Sequence, residues 1–206
     1  MGRNKEQNEK NREKSRAAII SAAKKCFAET GYVNTKMSDV AKAAGMSYGN
    51  VYWYFPTKEE LLKTILQDGF AAREKIIADS SLTGGSSIDK IGAIIDGYIN
   101  LYRNDSEFAA IYTSLLALGG TEFFRSLGLD AESLVRGQSE LLISVFKLAV
   151  QQRTVVGIAP ETLSALFLSF FNGVMITYRN QLALLPQAEI RNSALRLIGQ
   201  ESVFYL

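Results

Sequence analysis

The stretch AGMSYGNVYWYFPTK, residues 44–58, carries the decision about this chain. Tyr52, Trp53, Tyr54 and Phe55 stand consecutively in it, and a short helix cannot turn four large rings toward one core. At about 100° per residue, Val51 and Phe55 fall within about 40° of each other, one turn apart. Those two are expected to point inward, onto Val40, Ala41 and Ala44 of the segment before. Opposite them lie Gly49, Asn50 and Trp53, with Tyr52 and Tyr54 on the flanks. The spacing thus predicts one core ring and three surface rings, each of the three with a polar atom at its tip. Gly49 leaves the helix bare beside Trp53, where something else can come close.

Working outward, Ser47 is placed to cap this helix, and Gly45 to end the one before it. That earlier helix, MSDVAKAA, has Met37, Val40, Ala41 and Ala44 on one face and Thr35 as its expected N-cap. Two short helices joined by Gly45-Met46-Ser47 have the geometry of a helix-turn-helix, whose second helix enters the DNA major groove. Upstream, the run from Arg16 sets Ile19, Ile20, Ala23 and Phe27 on one face, and Gly31 suits the left-handed residue past its end. Downstream, Thr57 and Glu60 form an expected capping box. It opens a longer helix through Leu61, Leu62, Ile65, Leu66 and Phe70, ending before the loop LTGGSS at 82–87. Residues 1–14 hold almost nothing apolar, so they read as disordered or as a frayed helical extension.

The chain has 206 residues, 47% of them hydrophobic and only three of them proline. Helical spacing recurs at 88–103, 106–118, 121–127, 131–152, 160–182 and 186–203, so the expected fold is all-α. Pro160 and Pro186 stand where a first helical position accepts them. Leu163 to Tyr178 is apolar nearly all round, but a membrane span needs about 20 such residues, so a helix buried on two sides is preferred. The absence of histidine removes the commonest general base and metal ligand. Cys26, the single cysteine, excludes an intrachain disulfide and reads as a small core residue rather than a reactive thiol. No catalytic residue, metal or cofactor is expected. A helical enzyme using isolated carboxylates such as Asp96 and Glu122 stays open as an alternative, as does a DNA-binding protein with a filled core. Residues 1–63 carry 12 Lys/Arg against 7 Asp/Glu, whereas the rest of the chain is mildly negative. Either a polyanion partner or a solvated basic tail accounts for that asymmetry. The N-terminus is charged, so no signal peptide is expected and the cytoplasm is the expected location.

The run TKMSDVAKAAGMSYGNVYWYFPTKEELL, with Arg16 to Gly31 before it, resembles the DNA-binding domain of the TetR family of bacterial transcriptional repressors. The resemblance implies a basic tail at 1–15, a three-helix DNA-binding domain at 16–63, and a larger helical domain at 64–206 for effector binding and dimerisation. It implies phosphate contacts from Thr35, Lys36 and Lys58. Ser47, Tyr48, Gly49 and Asn50 would lie near base edges and backbone, and Tyr52, Trp53 and Tyr54 would grip the sugar–phosphate walls. The implied partners are double-stranded DNA, a second copy of the chain, and a small-molecule effector, with no membrane.

Within the body, Leu134, Gln138, Leu141, Leu142, Val145, Leu148 and Ala149 form a broad stripe. Ala165, Ser169 and Gly173 repeat at helical spacing and permit close helix approach. A dimer seam is expected there, and a single large monomer core is the other reading. Tyr98, Tyr102, Phe108, Tyr112, Phe146, Phe167, Phe171 and Tyr178 are the candidate effector-pocket residues, for a mostly hydrophobic or aromatic ligand. Asp96 and Arg179 are either specificity groups or solvated charges.

Overall fold

A computed structural model describes residues 2–128, 130–155, 157–178, 181 and 184–198. Among them are ten α-helices and no strand. The front of the chain is α1 (Gly2–Thr30), α2 (Met37–Ala43) and α3 (Tyr48–Tyr54), followed by the long α4 (Lys58–Leu82). The body adds α5 (Ser87–Asn104), α6 (Ser106–Ala117), α7 (Gly120–Ser126), α8 (Ala131–Gln151), α9 (Pro160–Tyr178) and α10 (Gln187–Leu197).

The polar start of the chain is a helical extension continuous with α1 rather than a separate coil. Helix α1 ends at Gly31, whose φ of +81° is the left-handed conformation that glycine takes without strain. The start of α2 departs from expectation. Lys36, not Thr35, stands at its N-cap, and the Lys36 N–H is taken by Asp39 Oδ2 at 2.9 Å. Thr35 instead closes the α1–α2 connection, its hydroxyl donating to the Gly31 carbonyl at 2.8 Å. Gly45 makes the turn with φ +66°, and Ser47 accepts from the Asn50 N–H at 3.2 Å to start α3. Thr57 caps α4 by accepting from the Glu60 N–H at 3.1 Å. The loop foreseen at 82–87 is real but short, since α5 begins at Ser87 with Ser86 and Asp89 forming its capping box.

Two hydrophobic cores result. The front core gathers Ile19, Phe27, Val40, Val51, Phe55 and Leu62, and extends to Phe108, Ile111 and Tyr112 of α6 and Phe124 of α7. The body core is built from Ile77, Ile95, Tyr98, Leu142, Phe146, Phe167 and Phe171, with Ile190 and Ala194 of α10. Helix α4 passes unbroken through position 63, and its Phe70 still belongs to the front core. Lys24 of α1 pairs with Asp105, which also caps α6 by accepting from the Phe108 N–H at 3.1 Å. Helices α4 and α6 therefore join the front to the body.

The stripe on α8 turns mostly into the chain's own core, where Gln138, Leu142, Val145 and Ala149 are buried. Helix α9 has a second apolar face turned outward, with Ala165, Leu166, Ser169, Gly173 and Ile176 exposed. No helix among the described residues is long and apolar enough to cross a membrane.

Candidate functional site

Helix α3 presents its rings as its spacing dictates. Val51 and Phe55 are buried beneath it, each such side chain contributing about 1.5–3 kcal/mol. Trp53 is 63% exposed and Tyr48 52% exposed, while Tyr52 and Tyr54 are half-buried on the flanks. Tyr48 Oη donates to Tyr52 Oη at 2.7 Å, one turn along, and their ring centroids lie 4.4 Å apart. Trp53 meets Tyr54 edge-on at 4.8 Å. The Arg12 guanidinium lies 4.8 Å above the Trp53 ring, and that of Arg16 lies 5.2 Å from Phe55. Helix α1 thus brings two cations to the edge of α3. Sequence reasoning missed this contact, because nothing local says how far the polar extension stays helical. Ser47, Gly49 and Asn50 are exposed at the start of α3, and Lys36 is exposed at the start of α2.

Two expected phosphate ligands are placed otherwise. Thr35 is 2% exposed, with its hydroxyl near Thr30 Oγ1 at 2.8 Å as well as the Gly31 carbonyl. That side chain faces inward and is hydrogen-bonded within the protomer. Lys58 Nζ donates to the carbonyls of Tyr32, Val33 and Thr35 at 2.8, 3.2 and 3.0 Å, and lies 4.4 Å from the Tyr32 ring. An ammonium has three donors, and all three are engaged. Lys58 is a clamp between α4 and the α1–α2 connection rather than a free cation.

In the body, the expected pocket residues divide. Tyr98, Tyr102, Phe146, Phe167 and Phe171 pack on one another, with Tyr98 5.7 Å from Phe167 and 5.3 Å from Phe171. Phe108 and Tyr112 stack at 6.0 Å in the front core. All seven are buried. Tyr178 is 37% exposed at the end of α9. An apolar cavity of about 380 Å³ opens between α9 and α10, lined by Leu166, Phe167, Ser169, Phe170, Ala194, Leu197 and Ile198. Of the expected residues, Phe167 alone lines it. Asp96 accepts from Gln187 Nε2 at 3.1 Å and pairs with Arg191 at 3.4 Å, tying α5 to α10. Arg179 lies outside the described residues.

Arg73 was not foreseen. It sits on the buried face of α4 between Phe70 and Ile77, 1% exposed, and donates to Tyr102 Oη. Gln138 of α8, equally buried, donates to Tyr98 Oη beside it. The signal available was an arginine at an apolar position of a helical stripe, three residues after Phe70 and four before Ile77. Burial pushes the Cys26 thiol up, reinforced by Glu29 and Asp39, so it is not an activated thiolate. Among the described residues no cluster of His, Cys, Asp or Glu has the makings of a metal site.

Residues 19–65 match the family model for bacterial regulatory proteins of the tetR family. The fatty acid metabolism regulator protein of Bacillus subtilis (strain 168) is 27% identical over 93 residues, 45% of this chain and 48% of that protein. The chain thus spans about half the length of that curated relative. Among solved structures, the transcriptional regulator FadR from Bacillus subtilis, in complex with stearoyl-CoA, has a TM-score of 0.74 at 20% identity, covering 88% of this chain and 96% of that one. AibR, in complex with isovaleryl coenzyme A and operator DNA, has a TM-score of 0.74 at 19% identity, covering 91% of this chain and all of its own. At such identities these structures share the fold. The front of the chain, residues 19–65, is thus similar to the DNA-binding region of the tetR family of bacterial regulatory proteins, and the helical body behind it shares the fold of such regulators.

Proposed function

We propose that the chain binds a palindromic operator as a homodimer, acting as a repressor, and is released by a small hydrophobic or aromatic effector held in the body. The observation that carries the DNA half is Trp53, held outward on α3 while Val51 and Phe55 anchor the helix from beneath. The proposed contact set is Lys36, Ser47, Tyr48, Gly49, Asn50, Tyr52, Trp53 and Tyr54, with Thr35 offering only its backbone. A Cβ added to Gly49 meets nothing within 4 Å, so packing within the protomer does not call for glycine there. Close approach of a duplex supplies a reason. Short polar groups at a helix start suit phosphate and base edges, and tyrosine hydroxyls donate while their rings pack on sugar.

Two recognition helices must reach successive major grooves, about 34–36 Å apart. The outward face of α9, with Leu166, Gly173 and Ile176 exposed, is the proposed seam between copies. An effector that favours the wrong spacing lowers operator affinity through its differential binding to two conformations. The acyl-CoA complexes of FadR and AibR make acyl-CoA esters natural compounds to try. The buried ring cluster supports a second reading, a regulator with a filled core and no effector. A thermal-shift screen of hydrophobic compounds separates the two, since the filled core predicts no stabilisation by any of them.

The test of the DNA half is selection from random duplexes, followed by salt titration of the recovered site. A palindrome is expected, with affinity falling steeply as salt rises. Trp53→Ala and Lys36→Ala should each weaken binding while the protein stays folded. Intact binding in both variants would exclude this docking mode.

A further inference from the structure

Arg73 is a cation withdrawn from water without an anion. Its guanidinium carbon lies 4.5 Å from the Tyr112 ring, 5.2 Å from Tyr102, 5.6 Å from Phe70, and 5.7 Å from both Tyr98 and Phe108. Among the described residues, no ion pair includes it, and its Nε has no hydrogen-bond partner. Burial works against the charge, but the phenols of Tyr102, Tyr112 and Tyr98 around it favour the charged form. An arginine stays protonated in any case.

The neighbours sharpen this imbalance. Tyr102 Oη accepts from Arg73, and Tyr98 Oη accepts from Gln138. Each phenol thereby spends its oxygen as an acceptor and keeps its own O–H to offer. Burial pushes both phenols above their ordinary range, so neither supplies a negative charge itself. The result is a buried group of donors around one positive charge. Ring faces offset part of the desolvation cost. Taking an ion out of water costs several kcal/mol, and a partner of opposite charge is the usual remedy.

We propose that Arg73, with the hydroxyls of Tyr98 and Tyr102, is the anchor for the anionic head of the effector, a carboxylate on an apolar or aromatic body. The proposal deepens the effector reading above and rests on it. The Arg73 Nε–H, which has no partner among the described residues, is the donor open to a carboxylate oxygen, and a hydrogen bond between ionised groups is a strong one. Phe171 and Phe167, in ring contact with Tyr98, continue from this head site as an apolar wall for the rest of the molecule. The rings part to admit it. A coenzyme A thioester has a neutral carbonyl at its acyl end and several phosphates at the other, which one enclosed cation does not match.

The experiment is calorimetric titration of the full chain, without DNA, using decanoate and 4-phenylbutyrate, each beside its methyl ester and its coenzyme A thioester. A charged hydrogen-bonded contact predicts that at least one acid binds about tenfold to a hundredfold tighter than its ester. In Arg73→Met that preference is lost while ester affinity is kept, and in Arg73→Lys part of it survives. Should Arg73→Met not fold, the acid-to-ester ratio of the unaltered protein decides alone. Equal affinity for acid and ester, or binding of the thioester but not the acid, overturns the Arg73 assignment and leaves the effector reading standing. Absence of binding by all six compounds overturns the carboxylate anchor, and loss of operator release by every other hydrophobic compound is the separate failure of the effector reading.

Discussion

Arg12 and Arg73 both lie against aromatic rings, yet water makes them opposite cases. Arg12 sits 4.8 Å over Trp53 on an exposed face, so solvent screens its charge and the contact is worth about 0.5–1 kcal/mol. Trp53, 63% exposed, is not needed to complete the front core, which Val51 and Phe55 fill from the other side of α3. Arg73 is enclosed by five rings in the join between the two cores. There every ring is structural, and the charge is a cost the fold sustains. In the surface cluster Tyr52 and Tyr54 lean on the front core, and Trp53 is the ring left turned to solvent. The buried cluster points at a ligand because its charge is unanswered.

That contrast can be broken by truncating one ring on each side. Phe171→Ala is expected to lose about 3–5 kcal/mol of stability, as a buried ring in a body core that cannot fully collapse. Trp53→Ala should change stability by no more than about 0.5 kcal/mol. Urea denaturation compares them, and a large loss at Trp53 would mean that its ring belongs to the fold. In operator binding the order inverts: Trp53→Ala is expected to lower affinity about tenfold or more, the weight of one good polar contact, as read by fluorescence anisotropy.

The two lysines of the front sharpen the comparison further. Lys58→Met strands the carbonyls of Tyr32, Val33 and Thr35 and should cost about 1–3 kcal/mol in stability. Lys36→Met should leave the melting temperature alone and reduce the salt dependence of operator binding by about one counterion. Equal behaviour of the two in DNA binding and in stability would erase the distinction between clamp and contact. Asp105→Asn keeps a side-chain acceptor for the start of α6 but discharges the pair with Lys24, and with both side chains about a quarter exposed the loss is about 1 kcal/mol or less, smaller at high salt. Gly49→Ala is expected to change stability by under about 1 kcal/mol, in the favourable direction. It should weaken operator binding all the same, because the new methyl occupies space that is open in the free protein.

Much of the front was legible because its determinants are local. Ser47, Thr57 and Gly45 act on backbone groups within a few residues of themselves, and the outward turn of Trp53 follows from the positions of Val51 and Phe55 on the same short helix. Thr35 was misplaced by a single residue, since Asp39 could serve Lys36 as readily as Thr35 could cap the helix itself. In the body, the helices were legible and their side chains were not. Tyr98 and Tyr178 sit in similar aromatic surroundings in sequence, but one is sealed in the core and the other faces out at the end of α9.

From its residues alone, then, this chain settles its helices, its turn and the outward presentation of Trp53, because periodicity and capping operate over one or two turns of backbone. Only the packed structure decides that Lys58 reaches back to Val33, that Thr35 faces inward, and that Arg73 is enclosed among tyrosines from α5 and α6. Those outcomes join groups tens of residues apart, and they depend on which helices meet. Helical spacing says which side of a helix is apolar, and packing alone says what that side touches.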